Sequence, residues 1–196
     1  MIRTRVALLI AVTPCLLLSG CEDIEPTPVV TIASDVEFRL LAADQPVAVT
    51  QKITAHVRGE RHMMIMQVQA DTSRLTMAGM SPTGTRLFSL SFDGKTIDSW
   101  KSPLFNVPFD GSYVLADFEL AAFPVARLQH EISGGRIEEK TVGANTERRI
   151  FDNADNAVIE IIYDKTTDPD NLNVSYCHLE RHYCLDITAL SQAGTP

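Results

Sequence analysis

The sequence predicts an α+β domain built on one large antiparallel sheet, and three observations predict it. Apolar residues recur with period two from Val36 to Trp100 and again from Arg136 to Leu190. Short turn signals punctuate those runs at Asp71-Thr72-Ser73, Ser81-Pro82-Thr83-Gly84 and Asp93-Gly94. One interval alone, Ser112 to Gln129, switches to helical spacing. Tight connections between consecutive strands make neighbours antiparallel. About ten strands sharing one apolar face must curl around something. The expected architecture is an incomplete, half-open antiparallel β-barrel with a helical lid inserted after the first meander.

The first strand signal is Val36, Phe38 and Leu40 alternating with Glu37 and Arg39; the second is Ile53, Ala55 and Val57 alternating with Lys52, Thr54 and His56. Gly59 opens a turn. The next run, His62 to Ala70, puts Met64, Met66, Val68 and Ala70 on one face and Gln67 and Gln69 on the other. Leu75–Met80 and Arg86–Phe92 follow, the latter with Phe88, Leu90 and Phe92 on one face and Ser89 and Ser91 on the other. Lys95–Trp100 completes a hairpin across Asp93-Gly94. Pro103, Pro108 and Gly111 mark a loop. Ser112 is the expected N-cap of a helix whose apolar stripe is Val114, Leu115, Phe118, Ala121 and Ala122, with Asp117 and Glu119 off that stripe. Pro124 ends it and starts a short second helix through Gln129. After a break at Gly134-Gly135, strand patterns resume at Arg136–Lys140, Glu147–Phe151, Val158–Tyr163, Val174–Leu179 and Tyr183–Leu190.

The front of the chain has a different character. Arg3 and Arg5 precede an apolar run from Val6 to Leu18, and Leu18-Ser19-Gly20-Cys21 closes it. Charge, apolar length and small residues before a cysteine read as an export signal ending in the lipobox of bacterial lipoproteins. The Cys21 thiol is the nucleophile that takes a diacylglyceryl group, and small Ser19 and Gly20 give a peptidase access to the bond before it. Val6 to Gly20 is short for a transmembrane span, which needs about 20 residues. Cys15 lacks a small pair before it and is a poorer acylation site. The organisation that follows is a lipoprotein signal peptide at 1–20, a lipidated N-terminus and Pro-containing tether at 21–33, a β-rich domain at 34–190 and a loose tail at 191–196. Glu22, where an Asp would favour inner-membrane retention, tilts the expected location to the periplasmic face of the outer membrane.

The 196 residues carry 17 Lys and Arg against 25 Asp and Glu, a formal net charge of −8. Cleavage before Cys21 removes Arg3 and Arg5 and no acid, so the remainder is more acidic still. Such a surface argues against nucleic acid and against charge-driven binding to anionic lipid. Membrane attachment then falls to the acyl chains, each buried CH₂ contributing about 0.8 kcal/mol.

The run from Arg58-Gly59-Glu60-Arg61-His62 to Leu128 resembles a family of small bacterial lipoproteins of uncharacterised function. Its most telling parts are Ser81-Pro82-Thr83-Gly84-Thr85-Arg86-Leu87-Phe88-Ser89-Leu90, then Asp93-Gly94, Ser102-Pro103, Leu115-Ala116-Asp117-Phe118-Glu119-Leu120 and the aromatic–Pro step Phe123-Pro124. The resemblance covers most of the chain after the signal, from Phe38-Arg39-Leu40-Leu41 onward, and is one of pattern, since no motif in it is catalytic. It implies the fold of the lipoprotein-localisation carriers LolA and LolB, an incomplete barrel whose hollow face, closed by helices, holds acyl chains. It also implies a place beside fatty-acid-synthase-like genes for aryl polyene pigments, and so the handling of a hydrophobic, acyl-like product. It carries over no specific functional residue.

The apolar faces are accordingly the candidate ligand site: Met64, Met66, Val68, Leu75, Met77, Phe88, Leu90 and Phe92, with Phe118 from the lid and Ile159 and Ile161 from the later strands. A half-barrel that its helices leave unfilled presents an apolar pocket, and methionine adapts to ligands of variable shape. A filled core is the other reading of the same residues. His62-Met63-Met64-Ile65-Met66 contains ligand types that suit Cu(I), but a strand turns Met63 away from Met64 and Met66, which reads better as core. Centring a hairpin on Glu180-Arg181 brings Cys177 opposite Cys184, as a disulfide requires. A zinc site with His178 and His182 is the alternative, and it suffers because those imidazoles fall on the opposite face. Asp164, Asp168, Asp170 and Asn171 do not have EF-hand spacing and read as a solvated turn. Scattered serines without a G-x-S-x-G, H-E-x-x-H or phosphate-cradling loop give no support to an enzyme.

The expectation is a non-catalytic outer-membrane lipoprotein that binds an acyl or polyene-like lipid and assists its transfer, with no cofactor and no metal. A scaffold binding a protein partner of the same pathway is the main alternative, and an acyl hydrolase or transferase a remote one.

Overall fold

The computed structural model describes residues 27–164 and 173–192. Cys21, Cys15, Asp168, Asp170, Asn171 and the tail from 193 lie outside them. The described chain is α+β: two short helices and thirteen strands in two antiparallel sheets. The large sheet has ten strands and is open, running in the order β7 (Ile97–Lys101), β6 (Arg86–Phe92), β5 (Leu75–Met80), β4 (Glu60–Ala70), β3 (Val47–Val57), β13 (Tyr183–Gln192), β12 (Asn173–His178), β11 (Ala157–Asp164), β10 (Asn145–Asp152), β9 (Gly135–Val142). Two meanders, one on each side of the helices, are thus zipped together by the β3–β13 pair, where Ile53 lies opposite Ile187.

The small sheet was not foreseen. β1 (Val29–Ala33) and β2 (Val36–Arg39) form a hairpin with Val30 opposite Phe38, and β8 (Ile132–Ser133) adds to its edge, Phe38 facing Ile132. The tether expected over residues 21–33 therefore gives way to packed strand by Val29, and the Val36–Leu40 run does not join the main meander. Val30, Ile32, Val36, Phe38 and Leu40 are all buried. Their burial explains the pairing, because a two-stranded ribbon alone cannot hide its apolar face. The chain leaves the small sheet at Gly134, at φ +72°, where a Cβ would lie 1.7 Å from the Asp35 carbonyl oxygen, so only glycine fits the switch into β9.

α1 (Gly111–Ala122) packs against β1 of the small sheet and β7 of the large one, and α2 (Val125–Leu128) packs against β9. The N-cap is Asp110 rather than Ser112: its Oδ1 accepts from the Ser112 amide at 2.9 Å and the Ser112 hydroxyl at 2.7 Å. The buried side of α1 is Leu115, Ala116, Phe118, Glu119 and Leu120. It is displaced from the expected stripe: Ala122 is exposed, Val114 and Ala121 are half-buried, and Glu119 is fully buried. A helix pressed from two sides buries more than a single stripe. Phe105 and Phe109, from the loop expected to be plain connection, close one end of the core against Phe88, with ring centroids 6.0 and 4.8 Å away.

Candidate functional site

The eleven apolar candidates converge as period two requires. Register sets Val68 opposite Met77, Met77 opposite Leu90, and Leu75 opposite Phe92. Met64, Met66, Val68, Leu75, Met77, Phe88, Leu90, Phe92, Phe118, Ile159 and Ile161 are each at most 8 % exposed and belong to one packed cluster. In this structure they are filled core, with α1 and the small sheet seated on them. Met63 points the other way and is 42 % exposed, so it does not share the face of Met64 and Met66.

Besides the buried Leu115, Ala116, Phe118 and Leu120, polar contacts that the sequence reading missed hold α1 on that face. Period two places Arg148 of β10 on the apolar side with Ile150, and cross-strand register sets Glu139 opposite it. Its guanidinium donates to Glu139 Oε2 at 2.7 and 2.9 Å and to the carbonyls of Leu120 and Phe123, at 2.5 and 2.9 Å. Those carbonyls lie at the C-terminal end of α1, where the helix has no hydrogen-bond partners of its own and carries partial negative charge. The Tyr163 hydroxyl donates to the Ala121 carbonyl at 2.7 Å. Arg148 sits over the Tyr163 ring, 5.2 Å from its centroid. Burial pushes the Tyr163 phenol up to about 12, so it stays a donor.

At mid-helix Asp117, read as off the stripe, accepts from the Tyr176 hydroxyl at 2.5 Å and the Tyr183 hydroxyl at 2.6 Å. Burial raises its carboxyl to about 6, against the opposing pull of the two phenols and of Arg181. Two residues on, burial raises Glu119 to about 8, against the Leu41 amide that donates to its Oε2 at 2.9 Å and the charge of Arg127. Glu119 Oε1 is buried with no hydrogen-bond partner among the described residues. A charged residue at an inward strand position, such as Arg148, was the one available signal, since a buried cation requires partners.

The β12–β13 hairpin is the second clamp. Cys177 and Cys184 are directly opposite and joined by a disulfide, Cα–Cα 4.1 Å. His178 falls on the core side opposite Tyr183, away from the sulfurs. Burial lowers its imidazole to about 4, so it is neutral. The turn the disulfide closes reaches the small sheet: Glu180 accepts from the Ser34 amide and hydroxyl, and Arg181 donates to the Thr31 carbonyl at 2.8 Å while lying 3.6 Å from the Tyr113 ring centroid. Disulfide, turn, β1 and α1 thus form one mechanical chain. Among the described residues no group of three His, Cys, Asp or Glu could hold a metal ion, and no helix is long and apolar enough to cross a membrane.

A family described as "Protein of unknown function (DUF3261)" matches residues 48–191, from early β3 to the end of β13. The chain belongs to that family. The match covers the large sheet except Val47 and Gln192, together with the helices and β8, and leaves β1 and β2 outside it. No curated protein matches the chain.

Proposed function

We propose that the chain is a membrane-tethered, non-catalytic lipid-handling protein, anchored through Cys21 to the periplasmic face of the outer membrane, that takes up an acyl or polyene-like chain between the sheet's apolar face and α1. The observation that carries this reading is the way α1 is attached. A continuous, methionine-bearing apolar face lies beneath the small sheet and one 12-residue helix, and that helix is gripped at its end by Arg148 and Tyr163 and at its middle through Asp117. Such contacts can be exchanged for water when the helix lifts, whereas the sheet beneath keeps its own backbone pairing. The face is filled when α1 is seated, so uptake requires α1 to move and the ligand to replace its side chains. The reading also draws on the sequence resemblance described above, which implies a half-barrel closed by a helical lid.

The test is lipid extraction from native full-length protein followed by mass spectrometry, beside a variant with α1 locked to the sheet by an engineered disulfide. The proposal expects bound lipid in the native protein and loss of most of it in the locked one. Equal recovery from both, or none from either, contradicts it. Labelling with radioactive palmitate tests the anchor: Cys21→Ala is expected to abolish label and release the protein from membranes, and retained label would contradict it.

A further inference from the structure

The reverse face of β4–β7 carries a feature that lipid handling does not use. Cross-strand register sets up two rows on that face. Gln67, Ala78, Ser89 and Trp100 form one row across the four strands, and Gln69, Thr76, Ser91 and Asp98 form the next. The two central strands supply only small side chains, while the flanking strands supply large ones. Small residues between tall walls make a trough, of about 510 Å³, open to solvent and bordered at one end by Arg86. Trp100 is 49 % exposed on its wall. The Thr76 hydroxyl bonds the Gln69 carbonyl. Among the described residues the side chains of Gln67, Gln69, Ser89, Ser91 and Asp98 make no hydrogen bond or ion pair.

We infer that this trough binds a neutral, polyhydroxylated chain, an extended oligosaccharide. Amides and hydroxyls both donate and accept, as a sugar's hydroxyls require. The indole offers a flat, electron-rich face to the C–H side of a pyranose ring, the edge-positive to face-negative match that aromatic rings favour. One carboxylate and one guanidinium at the borders leave the trough without net charge in an otherwise acidic chain, which suits an uncharged ligand. An acyl chain would leave that row of polar side chains unpaired as it displaced their water. The site is on the opposite side of the sheet from the α1 face, so it stands or falls independently of the lipid reading.

Trp100 is the chain's one tryptophan, which makes it a built-in reporter. Full-length protein is titrated with chitohexaose, cellohexaose and maltohexaose while tryptophan emission and acrylamide quenching are recorded. The proposal expects at least one to give a saturable blue shift with protection from quencher. Ser89→Arg, which fills the floor, is expected to weaken that binding about tenfold or more, and Trp100→Ala to do the same by calorimetry. Gln67→Ala with Gln69→Ala, both on the exposed wall, gives a milder loss and serves if Ser89→Arg alters the thermal melt. No response to any of the three sugars at millimolar concentration overturns the proposal. So does a response that these variants leave unchanged, or an equal shift produced by phosphatidylcholine vesicles and abolished by the same variants.

Discussion

The two faces of the strands β4–β7 make opposite use of one alternating sequence. On one face Met64, Met66, Val68, Leu75, Met77, Phe88, Leu90 and Phe92 lie closed under helix, loop and small sheet. On the other, Gln67, Gln69, Ser89, Ser91 and Trp100 remain open around a trough. The same backbone pairing supports both, so the difference lies in side chains and in what covers them. Stability therefore resides on the covered face, and freedom to meet a soluble ligand on the bare one.

Substitutions that cross this divide differ most in size. Leu75→Ala, on the closed face at 1 % exposure, is expected to lower the unfolding free energy by about 2–5 kcal/mol in urea titration. Arg148→Met comes next: it removes a buried guanidinium and leaves the Leu120 and Phe123 carbonyls without their donor, for a loss of about 2–3 kcal/mol. If the grip on α1 is what holds the apolar face shut, the same variant also binds a hydrophobic dye that the native protein excludes. Replacing Cys177 and Cys184 by serine removes a short loop closure and is expected to lose about 2 kcal/mol, with faster amide exchange at Ser34 and Thr31 because the Glu180-Arg181 turn slackens.

Between pH 4 and 8 the pH response comes from three buried groups, Glu119, Asp117 and His178. Burial raises Glu119 from 4.5 to about 8, so its contribution is complete below 4.5 and is lost as pH rises through 8. Asp117 acts in the same sense between 3.8 and about 6. His178, lowered from 6.5 to about 4, acts oppositely: its contribution is complete above 6.5 and is lost as pH falls through 4. Between pH 6.5 and 8 Glu119 dominates these three, and stability should fall with pH by up to about 1.4 kcal/mol per unit. Glu119→Gln flattens that slope. On the bare face, Gln69→Ala should change stability by about 0.5 kcal/mol or less. A large effect there would mean that the trough wall is structural and would erase the contrast.

Much of this is legible in the sequence. The alternation of β4 and β6 determined which residues face inward, and the Glu180-Arg181 centre of the last hairpin placed Cys177 opposite Cys184. The helical spacing after Gly111 located α1. Three things were not legible, each because it depends on partners distant in sequence. Val29–Ala33 becomes strand only because β2 offers it an edge. Asp117 and Glu119 look like solvent-facing acids until Tyr176, Tyr183 and the Leu41 amide arrive from elsewhere in the chain. The trough was written in the small residues Ala78 and Ser89, yet its depth appears only when register sets them between Gln67 and Trp100.

The proposed function requires the closed face to open to lipid and the bare face to refuse it. A fatty acid carrying a diazirine, photolysed with the full-length native protein and followed by peptide mapping, tests this directly. The expected result is label on Met64, Met66, Met77 or Phe118 and none on Gln67, Ser89 or Trp100. Label confined to the trough, or no label at all, would contradict it.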